Sequence, residues 1–315
     1  MPGNSAFATG RLLVAAFEGW NDAGEAATAA AAMLRAELDL EPLLTVDPED
    51  YFDYQFTRPQ VVIDDSGAKE IVWPTVTLWG PRSPLAVPAI VPETAAPDAG
   101  LYLLTGNEPS RGWKSFALEV MDAIEAAEID GIVFLGAMLA DVPHSRPITT
   151  FVTSEDAGVR ERLGVERSGY EGPTGIVGVL SDAADRLGIP AVSVWASVPH
   201  YVHNAPSPKA TLALIDRLED LLGIAIPRGD LAEEASAWES GIDALAQDDE
   251  DMASYIEQLE RARDTVDSPE ASGEAIAQEF ERYLRRNDGR GPDGGPGSGG
   301  PGGGAGSGDE GPAGG

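Results

Sequence analysis

The sequence predicts an α/β protein in which three layers, α/β/α, are built around a mostly parallel sheet. Short apolar runs of four to six residues alternate along the chain with longer segments whose apolar residues recur every three or four positions. The first pattern is typical of strands and the second of amphipathic helices. Because the apolar runs are continuous, we expect strands that are buried on both faces, as in a parallel sheet covered by helices.

The first strand, loop and helix are predicted in residues 11 to 36. An apolar run at 12 to 17 precedes a polar loop and an alanine-rich segment with one apolar stripe. Asp22 and Glu25 have the spacing of a reciprocal N-terminal helix cap. Open α/β sheets bind ligands at the carboxyl ends of their strands, although helix capping alone would also explain a polar loop there. The candidate residues of this loop are Glu18, Trp20 and Asn21 for ligand binding and Asp22 for catalysis.

Strands and helices continue to alternate up to residue 229, which we predict to be one core domain. Pro208 suits the first turn of its last helix, and Gly223 suits the end of that helix. Strands are predicted at 43–46, 76–79, 101–105, 132–135 and 191–196, and helices at 113–127, 154–163, 208–222 and from the glycine-rich loop at 168–178 to Gly188.

A β-hairpin insertion is predicted at residues 57 to 75. Two short apolar strands, 61–63 and 71–73, flank the segment DDSGAKE, which has Gly67 in its turn. The hairpin interrupts the strand–helix alternation and is therefore expected to project from the main sheet. Its apolar side chains would suit a contact between subunits, and a surface loop without such a role is the alternative.

A helical segment is predicted from residue 230 to 287. Its apolar stripes are narrow, so we expect these helices to pack on another surface. We predict that they form a lid over the end of the sheet that carries the polar loops, with Trp238 or Tyr255 near the crevice; packing against the far edge of the sheet is the alternative. Residues 288–315 are almost entirely glycine, proline, serine and aspartate, and a disordered tail is predicted there.

Composition excludes several classes of partner. The net charge is −32, from 53 acidic and 21 basic residues, and such a surface repels nucleic acid and anionic lipid. There are no cysteines, which excludes disulfides and thiolate metal sites. The N-terminal residues lack the pattern of a signal peptide, and no apolar run has the length of a membrane span. A cytoplasmic protein that binds neither membrane nor nucleic acid is therefore expected.

The histidines are candidates for acid–base chemistry because all three follow predicted strands. His144 and His200 both follow a Val-Pro pair, so both loops are expected to meet at one crevice. A histidine beside a carboxylate can act as a general acid or base, and hydrogen bonding to the loop backbone is the alternative. No local motif supports a metal site. The remaining candidate ligand-binding residues are Asn107, Glu108, Asp141, Arg146, Tyr170, Glu171, Thr174, Tyr201 and His203.

The glycine-rich loop at 168–178 could cradle a phosphate at the start of the following helix. It matches neither the Walker motif nor the dinucleotide fingerprint, and tight turns alone would explain its glycines. The sequence therefore leaves the cofactor, if there is one, undetermined.

Five motifs together resemble the proteasome assembly chaperone 2-like family in its actinobacterial branch. They are FEGWNDAGEAA (17–27), LTGNEPSRGW (104–113), LGAMLADVPHSRP (135–147), SGYEGPTGIVGVL (168–180) and WASVPHYVHNAPSPKATLALI (195–215). The resemblance implies an α/β/α core similar to the purine nucleoside phosphorylase and peptidyl-tRNA hydrolase type, in a homo-oligomer for which a trimer is the candidate. Family members that dock on proteasomes end in a hydrophobic-Tyr-X tail, whereas this sequence ends in GPAGG, which puts proteasome docking in doubt.

Two functions are therefore expected to compete. The first is a homo-oligomeric assembly factor or chaperone-like scaffold, which the resemblance and the projecting hairpin favour. The second is a hydrolase or phosphorylase-like enzyme with a small-molecule ligand in the crevice at the strand ends, which the polar loops favour.

Overall fold

A seven-stranded mixed sheet lies at the centre of the computed structural model, which describes residue 7 and residues 10–64, 66–82 and 100–267. In chain order the strands are β1 (Arg11–Glu18), β2 (Leu40–Thr45), β3 (Gln60–Ile63), β4 (Lys69–Val72), β5 (Val76–Pro81), β6 (Gly100–Asn107), β7 (Gly131–Ala140), β8 (Thr150–Thr153) and β9 (Ala191–Pro199). The main sheet has the order β2-β5-β6-β1-β7-β9-β8, and β3 pairs with β4 in a sheet of its own. Strands β6, β1, β7 and β9 are parallel, whereas β2, β5 and β8 each pair antiparallel with a neighbour.

Eight helices accompany these strands within the described residues. They are α1 (Ala26–Ala36), α2 (Pro48–Tyr51), α3 (Trp113–Ala126), α4 (Ala157–Leu163), α5 (Ile176–Leu187), α6 (Pro208–Leu222), α7 (Leu231–Gln247) and α8 (Glu250–Asp267). Helix α6 begins at Pro208 and is followed by Gly223 in the left-handed conformation at φ 66°, as the sequence predicts. In this part of the chain, no helix combines the length and the apolar character needed to cross a bilayer.

The two faces of the sheet carry separate cores, and the alternation of β1 shows why. Leu12, Val14 and Ala16 point to a core shared with α1 and α6. Leu13, Ala15 and Phe17 point to the opposite core, shared with α3 and α5. Successive side chains of a strand point to opposite faces, so a strand that is apolar at every position requires cover on both sides. The predicted three-layer α/β/α fold with a mostly parallel sheet is thus confirmed.

The edge strand β8 is absent from the sequence-based expectation. It pairs Phe151 with Trp195 and Thr153 with Ser193 at the border of the sheet. Its four residues are all at least partly exposed, so they do not form the continuous apolar run that identifies the central strands. The short helix α2 (Pro48–Tyr51) is not predicted either, and several boundaries differ, such as that of β2, which begins at Leu40 rather than at residue 43.

The predicted hairpin insertion is confirmed as β3 and β4. The two strands pair antiparallel, with Val61 opposite Ile71, and all eight of their residues are exposed. The Asp64 carboxylate accepts hydrogen bonds from the Ser66 hydroxyl at 2.6 Å and from the backbone N–H groups of Ala68 and Ser66, both at 2.9 Å, and these bonds hold its pKa below the ordinary value. Gly67 has φ 84° in the turn, a conformation that favours glycine.

Helices α7 and α8 form the helical C-terminal part that the sequence predicts. The chain divides after Arg263 into two units, and α7 and α8 up to that residue belong to the same unit as the sheet. In this unit α7 packs on α6, and its Leu231 joins the core between α6 and the sheet. The third helix expected near 276–283 and the tail expected at 288–315 lie outside the described residues.

Candidate functional site

Glu108 connects the loop after β1 to the start of α5. One carboxylate oxygen accepts the backbone N–H of Ile176 at 2.7 Å and the side-chain amide of Asn21 at 3.3 Å. The other accepts the backbone N–H of Trp20 at 3.3 Å. Gly175 leaves room for this arrangement, since a Cβ there would lie 2.7 Å from Glu108 Oε1 and collide with the Asn21 amide. The predicted residues Asn21 and Glu108 therefore hold the loop after β1 in place against the start of α5.

Asp22 caps α1 in a way that differs from the expected reciprocal cap. Its carboxylate accepts the backbone N–H groups of Ala27 at 2.7 Å and Thr28 at 3.2 Å, together with the Thr28 hydroxyl. A short 3-10 turn (Ala23–Glu25) separates Asp22 from α1, and Glu25 at φ 52° occupies the position before the helix. The reciprocal pairing of Asp22 with Glu25 is thus wrong, because the extra turn moves both side chains out of register. Burial raises the pKa of Asp22, while the bonds from Thr28 and Ala27 oppose that shift.

Glu18 and Asn107 form the neighbouring pair, at the ends of the parallel strands β1 and β6. The Asn107 amide donates to Glu18 Oε2 at 2.6 Å. Burial, and then the negative charge of Asp22, raise the pKa of Glu18. The end of the sheet therefore holds two carboxyl groups with raised pKa values, a feature that often marks a functional site.

A groove of about 1460 Å³ opens beside this loop. Its floor is the face of the sheet formed by the ends of β7, β8 and β9, and one wall is formed by α5. The glycine-rich segment before α5 supplies the predicted residues Tyr170, Glu171 and Thr174, and the segment after β9 supplies His203 and Asn204. Loop residues Trp20, Asn21 and Asp22 also line the groove.

His144 lies outside the lining of this groove, under α7. Its ring is buried, with Nδ1 2.9 Å from the Tyr201 hydroxyl and Nε2 3.1 Å from Asp243 Oδ1. The Tyr201 hydroxyl also accepts the backbone N–H of His144 at 2.7 Å. These contacts are satisfied when the hydroxyl donates to Nδ1 and the Nε2–H group donates to Asp243. Burial raises the pKa of Tyr201 to about 12, so this hydroxyl is neutral. The ring of Trp238 completes the enclosure at a centroid distance of 6.4 Å.

His200 and Asp141 lie beside α8, where His200 Nδ1 is 3.2 Å from Asp141 Oδ1. The Tyr255 ring lies 5.5 Å from the His200 ring, and its hydroxyl donates to Asp141 at 3.4 Å. Arg146 forms an ion pair with Glu260 of α8 at 3.2 Å. Helices α7 and α8 thus contact the loops at 141–146 and 200–203, and Trp238 and Tyr255 provide aromatic contacts. A role of these helices as a lid stays a prediction.

The structure therefore divides the predicted site residues between two places rather than one crevice. The groove and the loop beside it hold Glu18, Trp20, Asn21, Asp22, Asn107, Glu108, Tyr170, Glu171, Thr174 and His203. The contact with α7 and α8 holds Asp141, His144, Arg146, His200 and Tyr201. Among the described residues, no group of three or more acidic residues and histidines is arranged to hold a metal ion. Catalysis by Asp22, His144 or His200 stays a prediction.

Several residues of these two places escaped sequence-based reasoning. On α7, Glu239 pairs with Lys209, and Asp243 contacts His144. Their signal in the sequence is weak, since it consists only of two acidic residues four positions apart on one helical face. Phe151 and Trp195 of the groove floor depend on the edge pairing of β8, which the sequence pattern does not reveal.

The fold and the loop at its strand ends define a class, the three-layer α/β proteins with an added hairpin and C-terminal helices. The family model described as PAC2 family matches residues 16–246, and the chain belongs to this family. A PAC2 family protein from Streptomyces avermitilis is 45% identical with a TM-score of 0.68, and the match covers 78% of this chain and 99% of that one. A proteasome-assembly chaperone homologue from Mycobacterium tuberculosis is 41% identical with a TM-score of 0.66 and the same coverage.

More distant structures share the fold alone. An archaeal proteasome activator from Pyrococcus furiosus is 16% identical, with a TM-score of 0.56 and coverage of 75% of this chain and 93% of that one. No curated protein sequence matches the chain significantly. The similarity to actinobacterial PAC2 proteins confirms the family resemblance that the five motifs indicate.

Proposed function

We propose that this protein is a chaperone-like assembly factor that acts through protein–protein contacts, including contacts with copies of itself. The relative from Mycobacterium tuberculosis, a proteasome-assembly chaperone homologue, supports this class of function. The exposed hairpin of β3 and β4 is the observation that carries the proposal, because its surface has no role in the core of the α/β fold.

The hairpin exposes an unusual amount of apolar surface. Val61 and Ile63 of β3 are 64% and 67% exposed, and Ile71 of β4 is 55% exposed. Val62, Val72 and the adjacent Trp73 are exposed as well. A two-stranded sheet is marginally stable alone in water, and clustered apolar residues on a surface mark interaction sites. Covering the hairpin with another protein would remove this surface from water.

A second copy of the chain is the partner that we assign to the hairpin. Among the described residues, no third strand pairs with this two-stranded sheet, so the hairpins of two copies can add to one another by strand pairing. Pairing of like edges would give a two-fold dimer, whereas pairing of the β3 edge of one copy with the β4 edge of the next is a head-to-tail contact that can close into a ring. The trimer that the family resemblance suggests would need the head-to-tail contact.

The experiment compares oligomeric mass between hairpin variants and matched controls. Ile63→Lys with Ile71→Lys places two charges on exposed positions, so each chain should keep its fold. Multi-angle light scattering should then report a single chain of 33.0 kDa in place of the wild-type oligomer. Leu118→Lys with Leu187→Lys alters exposed leucines of α3 and α5 and should leave the oligomer intact. A monomeric wild type, or an oligomer that persists in the hairpin variant, would contradict the proposal.

An enzyme acting on a small molecule is the second candidate function. The raised pKa values of Glu18 and Asp22 at the carboxyl ends of the strands favour it, since carboxyl groups whose pKa is raised by burial are candidate general acids or bases. Native mass spectrometry of freshly purified protein would support this candidate if it detects a retained small molecule that is lost in the Glu18→Gln variant.

A further inference from the structure

The open groove beside α5 has the form of a docking site for a helix. On this face of the sheet α5 packs over β1, β7 and β9, while the part of the floor nearer the edge contributes Ser193, Trp195, Phe151 and Thr153 to the groove. These four residues alternate in sequence with others that point to the opposite core, so they share one face. In the α/β/α architecture helices cover the faces of the sheet, and the position next to α5, above β9 and β8, is where a further helix would pack.

Large apolar side chains around the groove are exposed to solvent. Trp20 and Tyr170 are about two-thirds exposed, at 68% and 66%, and Phe151 of the floor is 46% exposed. Met138 and Leu139 at the end of β7 are exposed as well and also line the groove. Tryptophan and tyrosine are enriched among the few residues that dominate the binding energy of protein interfaces. The volume of about 1460 Å³ also exceeds the range typical of small-molecule sites, roughly 300–1,000 Å³.

Acidic side chains surround this apolar floor. The carboxylates that line the groove are Asp22, Glu25, Glu155, Glu171, Asp182 and Asp185. Two of them have arginine partners, since Glu155 pairs with Arg167 and Asp182 with Arg186 one turn along α5. The remaining negative charge would attract lysine or arginine, and the exposed faces of Trp20 and Tyr170 would add cation–π contacts.

We propose that this groove binds an amphipathic basic helix of a partner protein, with apolar side chains on the sheet and lysine or arginine toward the acidic rim. This inference rests on the proposed function, since it names the chemistry of a partner that an assembly factor would bind. A copy of the same chain is a poor occupant of the groove. Its 53 acidic and 21 basic residues give it a negative surface, which the carboxylates around the groove would repel. Helix binding in an apolar groove uses anchors at helical spacing.

The test uses a labelled 15-residue peptide with leucine at helical spacing and lysine elsewhere. Its binding to the full chain is measured by fluorescence anisotropy at 0.15 M salt. One matched peptide has the same composition in scrambled order, and another has glutamate in place of lysine. The amphipathic basic peptide should bind at least about tenfold more tightly than either of them, because only this peptide offers both the apolar stripe and the positive charge.

Variants of the protein then locate the site. Trp20→Ser with Phe151→Ser should weaken binding about tenfold or more, and Glu171→Lys with Asp185→Lys should do the same. Leu118→Ser and Glu233→Lys are exposed changes outside the groove and should leave the affinity unchanged. All of these positions have exposed side chains, so circular dichroism should confirm that the fold persists in every variant.

Several results would overturn this inference. Equal binding of the scrambled peptide would show attraction by charge alone, and unchanged affinity in the groove variants would place the peptide elsewhere. Groove variants that lower the oligomeric mass would show that a second copy fills the groove. Absence of peptide binding in a protein whose oligomer depends on the hairpin would refute the groove inference and leave the proposed function standing.

Discussion

Replacing His144 with alanine tests whether this residue supports the fold rather than a solvated catalytic pocket. The ring is 1% exposed, and both nitrogens have partners. The contact with Tyr201 is worth about 1 kcal/mol, and the hydroxyl that loses its partner adds a similar cost. The contact with Asp243 contributes less because that carboxylate is largely solvated. A cavity in place of the ring adds about 1 kcal/mol, so we expect a loss of about 2–4 kcal/mol in the free energy of unfolding.

Urea denaturation followed by circular dichroism and tryptophan fluorescence measures this loss, and Trp238 beside the ring makes fluorescence sensitive to the site. His203→Ala is the matched control, because this exposed ring makes a single contact, to the His200 carbonyl at 2.8 Å. The control should lose no more than about 0.5 kcal/mol. A loss below about 1 kcal/mol for His144→Ala would refute the reasoning, since it would mean that the ring adds little to the contact between its loop and α7.

Three further changes test the loop at the strand ends. Gly175→Ala should destabilise the protein by about 1–3 kcal/mol, because its methyl group collides with Asn21 and Glu108; a thermal midpoint equal to that of the wild type would contradict this packing. Asp22→Ala should lower the free energy of unfolding by about 1–2 kcal/mol, because the cap of α1 is lost. A smaller loss in urea denaturation would contradict a stabilising role of this cap. Glu18→Gln should raise the thermal midpoint at pH 7 but not below about pH 4. Burial, followed by the negative charge of Asp22, raises the pKa of Glu18 in the folded protein. The stabilisation by the protonated carboxyl group is therefore fully present below the unfolded pKa and is lost as pH rises through the folded pKa. Equal thermal midpoints of the wild type and the variant at pH 7 would contradict this direction of the pKa shift.

Most of the fold follows from patterns that are local in the sequence. The continuous apolar residues of β1 require burial on both faces, and the stripe of α6 between Pro208 and Gly223 identifies a helix with both of its ends. The turn at Gly67 likewise identifies the hairpin. In contrast, β8 has four partly exposed residues whose strand conformation depends on pairing with β9, and this pairing has no local signal.

The candidate site depends on contacts between distant parts of the chain. His144 meets Asp243, which is 99 residues away, and Glu108 meets the start of α5, 68 residues away. The sequence predicts polar residues at the ends of the strands, where the structure has them, because parallel strands bring their carboxyl ends to one edge. The sequence does not separate the groove from the contact with α7 and α8, since the packing of these helices decides which loops they cover.

Hydrogen exchange of the hairpin in the unmodified protein tests the proposed function most directly. The amides of β3 and β4 belong to an exposed two-stranded sheet, which would exchange rapidly in a single chain. If copies of the chain associate through the hairpin, protection of residues 60–63 and 69–72 should rise with protein concentration, while the central strands keep constant protection. Rapid exchange of the hairpin at every concentration would contradict the proposal that this surface joins protein chains.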